Sequence, residues 1–192
     1  MYRRYILGIS VVAAVQLALP VGAIAQQKSI RDQLVGAWTL LLDDGVKADG
    51  THAPAFGPNP IGTLIFTADG HYSLAIARSG RAPFASNNRD TATPDEDKAT
   101  VQGTFFHFGT YTVEESDKSF TFRVEGSSFP NWEGTRQMRP VIAITDEVLT
   151  YNNPTSPNPA AGSVRAELVW KKAKWEPAET ARVGGPTVSA GR

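Results

Sequence analysis

The chain of 192 residues has no cysteine, so disulfides are excluded and stability has to come from one adequate hydrophobic core. Imidazoles are scarce too. His52, His71 and His107 are the only three, none at the i, i+4 spacing of a helical metal pair. Without cysteine to complete a zinc site, no metal and no cofactor is expected. No charge of one sign dominates, with 19 basic and 19 acidic residues and no Lys/Arg cluster. That balance argues against a nucleic-acid partner, which ordinarily calls for a basic surface. A Gly-x-Ser-x-Gly elbow is missing, which removes support for an α/β-hydrolase. Beyond the first twenty residues no long apolar run occurs, so stable membrane insertion of the remaining chain is not expected.

What is present at the start reads as an address. Arg3 and Arg4 precede an apolar run over residues 6–19, Pro20 and Gly22 close it, and Ala23-Ile24-Ala25 supplies small residues for processing. A signal peptide over residues 1–25 is expected, and with it a periplasmic or secreted protein. The two arginines fit a twin-arginine signal as well as an ordinary basic start. No cysteine follows the run to carry a lipid anchor. Cleavage removes two arginines and no acid, leaving 17 basic against 19 acidic residues, or −2.

The rest is a succession of short β runs separated by Gly, Pro, Asn and Asp, the pattern of an all-β barrel or sandwich. It reads as one domain over residues 26–175 with a disordered tail at 176–192. A short lead-in helix is expected at 30–34 and a first strand at 38–42, closed by Asp43-Asp44-Gly45. Pro54, Pro58 and Pro60 mark 51–62 as a shaped loop. Strands at 62–67 and 71–78 flank Ala68-Asp69-Gly70, whose Asp-Gly step suits a hairpin. Residues 79–93 form a long loop over one barrel end. Thr93, Pro94 and Glu96 then open a helix with a capping box, expected over 94–106, with Ala99, Gln102, Phe105 and Phe106 near one apolar face. Strands follow at 109–113, 119–125, 136–145, 148–151 and 163–172, with a loop at 152–162. Over 119–125, Phe120, Phe122 and Val124 alternate with Thr121, Arg123 and Glu125.

Several segments in order carry a resemblance. Leu34-Val35-Gly36-Ala37-Trp38 comes first, followed by Phe56-Gly57-Pro58-Asn59-Pro60 running into Ile61-Gly62-Thr63-Leu64-Ile65-Phe66-Thr67-Ala68-Asp69-Gly70. Phe108-Gly109-Thr110-Tyr111 comes next. Glu125-Gly126-Ser127-Ser128-Phe129-Pro130-Asn131-Trp132-Glu133-Gly134-Thr135 follows, and Leu168-Val169-Trp170 ends the series. Together they resemble the lipocalin-like domain of bacterial and fungal proteins. The resemblance implies an antiparallel calycin-type barrel of about eight strands with one short helix. It also implies that Trp38 closes one barrel end, with Arg165 or Arg139 of a late strand stacking on the indole. Many members carry His in the strand before the Glu-Gly-Ser segment, where this chain has Phe122-Arg123, a departure that favours binding over catalysis.

A barrel of this size holds one small ligand or fills with its own side chains. Candidates for the wall are Phe66, Tyr72, Ile76, Phe106, Phe108, Tyr111, Phe122, Phe129, Trp132, Met138 and Tyr151. Candidates for orienting polar groups are Arg136, Tyr111, His107 and Glu125. Phe129-Pro130-Asn131-Trp132 is either a ligand contact or a rigid turn whose indole plugs the barrel. The leading expectation is a monomer or weak homodimer that binds a small hydrophobic or amphipathic molecule, with residues 79–93 and the following helix as a lid. The alternative is a barrel-type isomerase, cyclase or dehydratase using His107 with Glu125 or Asp69 as acid and base. A third reading is an interaction module with a filled core.

Overall fold

A computed structural model describes residues 28–154 and 163–174. The expected signal segment 1–25, most of the loop 152–162 and the tail 176–192 lie outside the described residues. Helix α1 (Ile30–Leu34) leads into strands β1 (Gly36–Lys47), β2 (His52–Pro54), β3 (Ile61–Phe66) and β4 (His71–Ala77). Helix α2 (Pro94–Gly103) follows, then β5 (Thr104–Glu114), β6 (Ser119–Ser127), β7 (Arg136–Ile144), β8 (Val148–Asn153) and β9 (Ser163–Lys172). All neighbouring strands pair antiparallel. The order is β2-β1-β3-β4-β5-β6-β7-β8-β9, and β9 returns to β1. Since β2 only flanks β1, eight strands close the barrel and abolish its free edges. No helix among the described residues is long and apolar enough to cross a membrane.

The β3–β4 hairpin forms on the expected turn. Phe66 pairs with Tyr72, and Gly70 takes a φ of 93°, a value that disfavours a side chain. Thr67 Oγ1 donates to Asp69 and accepts the His71 amide, which fixes the loop.

The first strand is longer than expected. Asp43-Asp44-Gly45 has turn chemistry, yet these residues continue β1 because β9 pairs with it on one side and β2 on the other. Local propensity gives way to ladders formed with distant chain. The same pairing makes a three-residue strand, ending at Pro54, within the expected loop.

The α2 start is also as read. Thr93 Oγ1 accepts the Glu96 amide at 3.3 Å and Glu96 Oε2 accepts the Thr93 amide at 2.8 Å. The helix stops at Gly103, however, three residues before the expected end. From Thr104 onward the backbone bonds to β4, with Ala77 opposite Thr104 and Ala75 opposite Phe106. Phe105 and Phe106 therefore belong to a strand and face opposite sides. Ala99 and Gln102 are exposed and Val101 is 70% exposed, so the expected apolar helix face does not form.

Helix α1 covers one barrel end with Ile30 and Leu34, and the buried Trp38 indole donates to the Leu34 carbonyl at 2.8 Å. The cation on that indole is Lys172, with Nζ 4.2 Å from the ring centroid, rather than Arg165 or Arg139. The β1–β9 register explains the correction: Trp38 lies opposite Lys172, while Arg165 lies opposite Val46 toward the other end.

Above that floor the interior is aromatic. Phe66 meets Tyr111 and Phe120 edge-on at 4.9 and 5.5 Å, Phe120 meets Tyr151 at 5.2 Å, and Tyr72 stacks on Phe122 at 4.0 Å. Such contacts add to simple area burial. They also take up much of the space that a ligand would occupy.

Candidate functional site

At the end away from α1 the packing changes character. A cavity of about 30 Å³ remains there, lined by apolar Phe56, Leu74, Ile76, Phe105, Ala166 and Leu168 and by polar Asp43, His107, Arg139, Tyr151 and Asn153. That is room for only a water or two, well under the several hundred Å³ of a site for a larger organic molecule. The question left open by the sequence, whether the barrel is hollow or filled, is answered in favour of a nearly filled interior with a small polar end.

Each polar group is placed by strand alternation. On β7, Gln137 and Arg139 turn inward because they lie opposite Phe122 and Phe120 of β6, whereas Arg136 and Met138 turn out. Arg139 is 2% exposed. Its guanidinium donates to Gln137 Oε1 at 2.6 Å and to the Met138 carbonyl at 3.1 Å, and it lies 5.5 Å from the centroid of Phe122 and 5.8 Å from that of Trp132. None of the ion pairs among the described residues includes it. Burial lowers its pKa to about 10, so it remains charged at neutral pH.

Asp43 reaches the same cavity from β1, where it is buried. Burial, and then the charge of neighbouring Asp44, push its carboxyl up to about 7. Asp44 points the other way and accepts from His52 Nδ1 at 2.7 Å. Tyr151 of β8 is buried and feels the charges of both Arg139 and Asp43, while burial raises its hydroxyl well above the ordinary phenol range.

His107 of β5 faces inward and its Nδ1 lies 2.8 Å from the Tyr72 hydroxyl. Burial, and then the nearby Arg139 charge, hold the imidazole down to about 3, so it is neutral. Desolvation raises the Tyr72 hydroxyl. The hydrogen bond therefore joins two neutral groups. Glu125 is exposed on the outer side of β6, and Asp69 is exposed in the β3–β4 turn at the α1 end. The expected partnership of His107 with either carboxylate does not form, because alternation sends Glu125 outward and the hairpin carries Asp69 to the far end.

Among the expected wall residues, Phe66, Tyr72, Ile76, Tyr111, Phe122, Trp132 and Tyr151 are buried inside. Only Ile76, Tyr151 and the polar candidate His107 line the cavity. Tyr111 lies at the other end, where its hydroxyl donates to the Thr67 carbonyl at 2.9 Å. Phe106, Phe108, Phe129 and Met138 are 46%, 47%, 36% and 50% exposed, and Arg136 is exposed as well. The β5 ladder forces Phe106 and Phe108 to the side opposite His107, and Phe108 lies against Gly126 on the outside. Phe105 is their inward counterpart.

The Pro130–Trp132 segment forms a turn whose indole packs inward and does not line the cavity. It is a 3-10 turn held by the Trp132 amide donating to the Phe129 carbonyl at 3.0 Å. The Trp132 indole is buried, edge-on to Phe105 at 5.4 Å and His107 at 5.7 Å, as a plug beside Arg139. The expected lid is not seen. No residue of 79–103 lines the cavity. That excursion folds on itself instead, with the Ala85 amide donating to Glu96 Oε1 at 2.8 Å and the Arg78 amide to the Gly103 carbonyl at 2.8 Å.

Asp43, Arg139 and Asn153 were not among the expected site residues. For Arg139 a signal existed: once 119–125 reads as an alternating strand, its antiparallel neighbour has to turn every second residue inward as well. For Asp43 none did, because Asp-Asp-Gly reads locally as a turn. Among the described residues no three His, Asp or Glu side chains come together to hold a metal.

The sequence profile of a family described as a lipocalin-like domain matches residues 35–173. A crystal structure of a lipocalin-like protein from Bacteroides uniformis aligns with a TM-score of 0.38 at 13% identity, covering 73% of this chain and 99% of that one. A redesigned β-barrel aligns with a TM-score of 0.39 at 11% identity, covering 77% of this chain and all of that one. No curated protein matches the chain in sequence.

Proposed function

Since the chain belongs to the lipocalin-like domain family, we propose that it is an exported protein that binds a small hydrophobic or amphipathic molecule at the barrel end bordered by Asp43, Arg139 and Tyr151. The observation that carries this reading is Arg139, a buried guanidinium facing a cavity with no ion-pair partner among the described residues. Burying a charge costs several kcal/mol even after relaxation, and an isolated one is rarely kept for stability alone. Polar groups gathered at one end of an apolar interior are the usual means of orienting a ligand. The protein acts as a carrier, as a monomer or weak homodimer, and the apolar part of the ligand is buried against Phe56, Ile76 and Phe105. The small resting volume means that uptake displaces some of these rings. Arg3-Arg4, the apolar run over 6–19 and Ala23-Ile24-Ala25 support export.

Native mass spectrometry of the mature protein from its own host envelope, before and after solvent extraction, tests this. A defined mass lost on extraction supports the carrier. A bare protein that also fails to bind an apolar fluorescent probe contradicts it and favours the filled-core interaction module.

A further inference from the structure

The outward side of β3, β4 and β5 is a sheet face without a charge. Its positions form a grid: Thr63, Ala75 and Phe106 lie opposite one another along the middle row, Ile65, Ser73 and Phe108 along the row toward α1, and Ile61, Ala77 and Thr104 along the row away from it. The solvated side of an antiparallel sheet ordinarily alternates to polar residues. Here Ile61, Ile65, Phe106 and Phe108 are 58%, 40%, 46% and 47% exposed. We propose that this face is the interface between two copies of the chain, packed sheet against sheet about a two-fold axis that runs along β4. The proposal is independent of the ligand cavity, so either can fail without the other.

The relief of the face is self-complementary. The β4 column is small throughout, as Ser73, Ala75 and Ala77, and between the larger columns of β3 and β5 it leaves a trough of about 350 Å³, walled by Ile61 and Phe106 over Ala75 and Ala77. An axis along β4 sets β3 of one copy over β5 of the other. Phe106 then meets the partner's Thr63, the Phe108 ring that lies over Gly126 meets the partner's Ile65, and Ala75 meets its own copy. Each copy thus offers the same patch, the condition for an isologous contact. Two faces stacked in this way have the geometry of sheets packed in a sandwich.

The area suits a weak dimer. At about 100 Å² each, half of what burying a whole aromatic side chain removes from water, Ile61, Ile65, Phe106 and Phe108 expose roughly 400 Å² of apolar surface, the size of patch that is often functional. With the smaller outward residues, two faces bury roughly 1,000 Å² together, the least that a specific interface needs. The border is of mixed sign, with Arg123 and Glu125 of β6 and Arg136 of β7 beyond Phe108, and the Asp69–His71 pair at the α1 end. An apolar centre with a polar rim of both signs is the anatomy of a protein interface. A lipid surface is met instead by a rim dominated by Lys and Arg. Strand-edge pairing is no route to this face, because β3, β4 and β5 each have a neighbour on both sides.

Sedimentation velocity of the mature protein across a wide range of concentration tests the proposal. The expected result is a reversible equilibrium, mostly monomer at about 1 µM and mostly dimer at about 100 µM, the weak end for an interface at the lower limit of size. Phe106→Lys places a charge in the dry centre and raises the dissociation constant about tenfold or more. Met138→Lys, at an equally exposed apolar position of β7 outside the face, leaves it unchanged. Since the chain has no cysteine, Ala75→Cys supplies a unique thiol at the axis. A short bis-maleimide joins two copies of that variant but not two copies of Ser116→Cys, exposed in the β5–β6 turn. If Phe106→Lys does not fold, the parent equilibrium and the cross-link decide alone. A monomer at every concentration, a dimer that Phe106→Lys leaves intact or Met138→Lys weakens equally, or equal cross-linking at both thiols overturns the proposal. So does a monomer that sediments with phosphatidylglycerol vesicles, a result that gives the face to a lipid surface.

Discussion

Lys172 Nζ stands 4.2 Å from the centroid of the buried Trp38 indole, and the same ammonium donates to the Gln33 carbonyl at 2.8 Å and the Val35 carbonyl at 2.5 Å. One side chain thus ties β9, β1 and the end of α1 together. Its ammonium also completes a helix terminus, since a cation near the last carbonyls is favoured there. Lys172→Met is expected to cost about 3–4 kcal/mol, the low end of the sum of one cation–π contact and two charge-assisted hydrogen bonds. Urea unfolding measures it, and a variant as stable as the parent would remove this closure from the account.

Gly109 sits at the β5 bulge, where an added Cβ would come 2.1 Å from the Arg123 carbonyl oxygen. The neighbour is backbone and has no rotamer to escape into. Gly109→Ala is therefore expected to destabilise by roughly 2–3 kcal/mol, the range for overpacking in a well-packed region. A thermal melt within a degree of the parent would show that the β5–β6 ladder yields more easily than its geometry implies.

These two positions also show how the fold was written in the sequence. The β3–β4 hairpin was legible because Asp69-Gly70 carries its turn locally, and the start of α2 because Thr93 and Glu96 form the whole capping box within four residues. Residues 163–172 were legible as a strand, but their pairing with β1 was not. That closure decides that Lys172, rather than Arg165 or Arg139, meets Trp38. Asp43-Asp44-Gly45 misled for the same reason, because the ladders that make it a strand come from residues 52–54 and 163–172. At the site, aromatic character alone did not separate Phe105 from Phe106 or Phe108. Their sides depend on the β5 register, which begins five residues earlier than Gly109, the first strand residue expected there. Alternation along 136–145 implies that either Arg136 or Arg139 turns inward, and only the register with Phe120 and Phe122 sets the phase that selects Arg139.

Asp43 and His107 make opposing contributions to stability as pH changes. Asp43 has its carboxyl raised from 3.8 to about 7, so the folded state binds the extra proton and stability declines as pH rises through that interval. His107 is lowered from 6.5 to about 3, so its contribution is complete above 6.5 and is eroded as pH falls toward 3. Asp43→Asn removes the first effect alone. Its stability is expected to exceed the parent at pH 8, by at most about 4 kcal/mol on about 1.4 kcal/mol per pKa unit, and to match the parent near pH 4. Urea midpoints at both pH values check this, and a gain of equal size at pH 4 would contradict the assignment to Asp43 ionisation.

Tyr72→Phe removes the hydroxyl bonded to His107 Nδ1 and leaves the stacking on Phe122 in place. A cost of about 1 kcal/mol is expected, that of one buried hydrogen bond with its partner left unmet. His107→Phe in the same background separates the terms. A double variant no less stable than Tyr72→Phe alone would show that the pair is kept for the cavity rather than for the fold.

Co-purification of a ligand with the parent and with Arg139→Met tests the central claim most directly. Methionine keeps an apolar side chain of similar length next to Phe122 and Trp132 while removing the buried charge. Native mass spectrometry of both proteins, isolated from the same envelope and checked for folding by their melts, is expected to show a defined extra mass on the parent and none on folded Arg139→Met. The same mass on both proteins, or on neither, would contradict a site built on the Arg139 guanidinium.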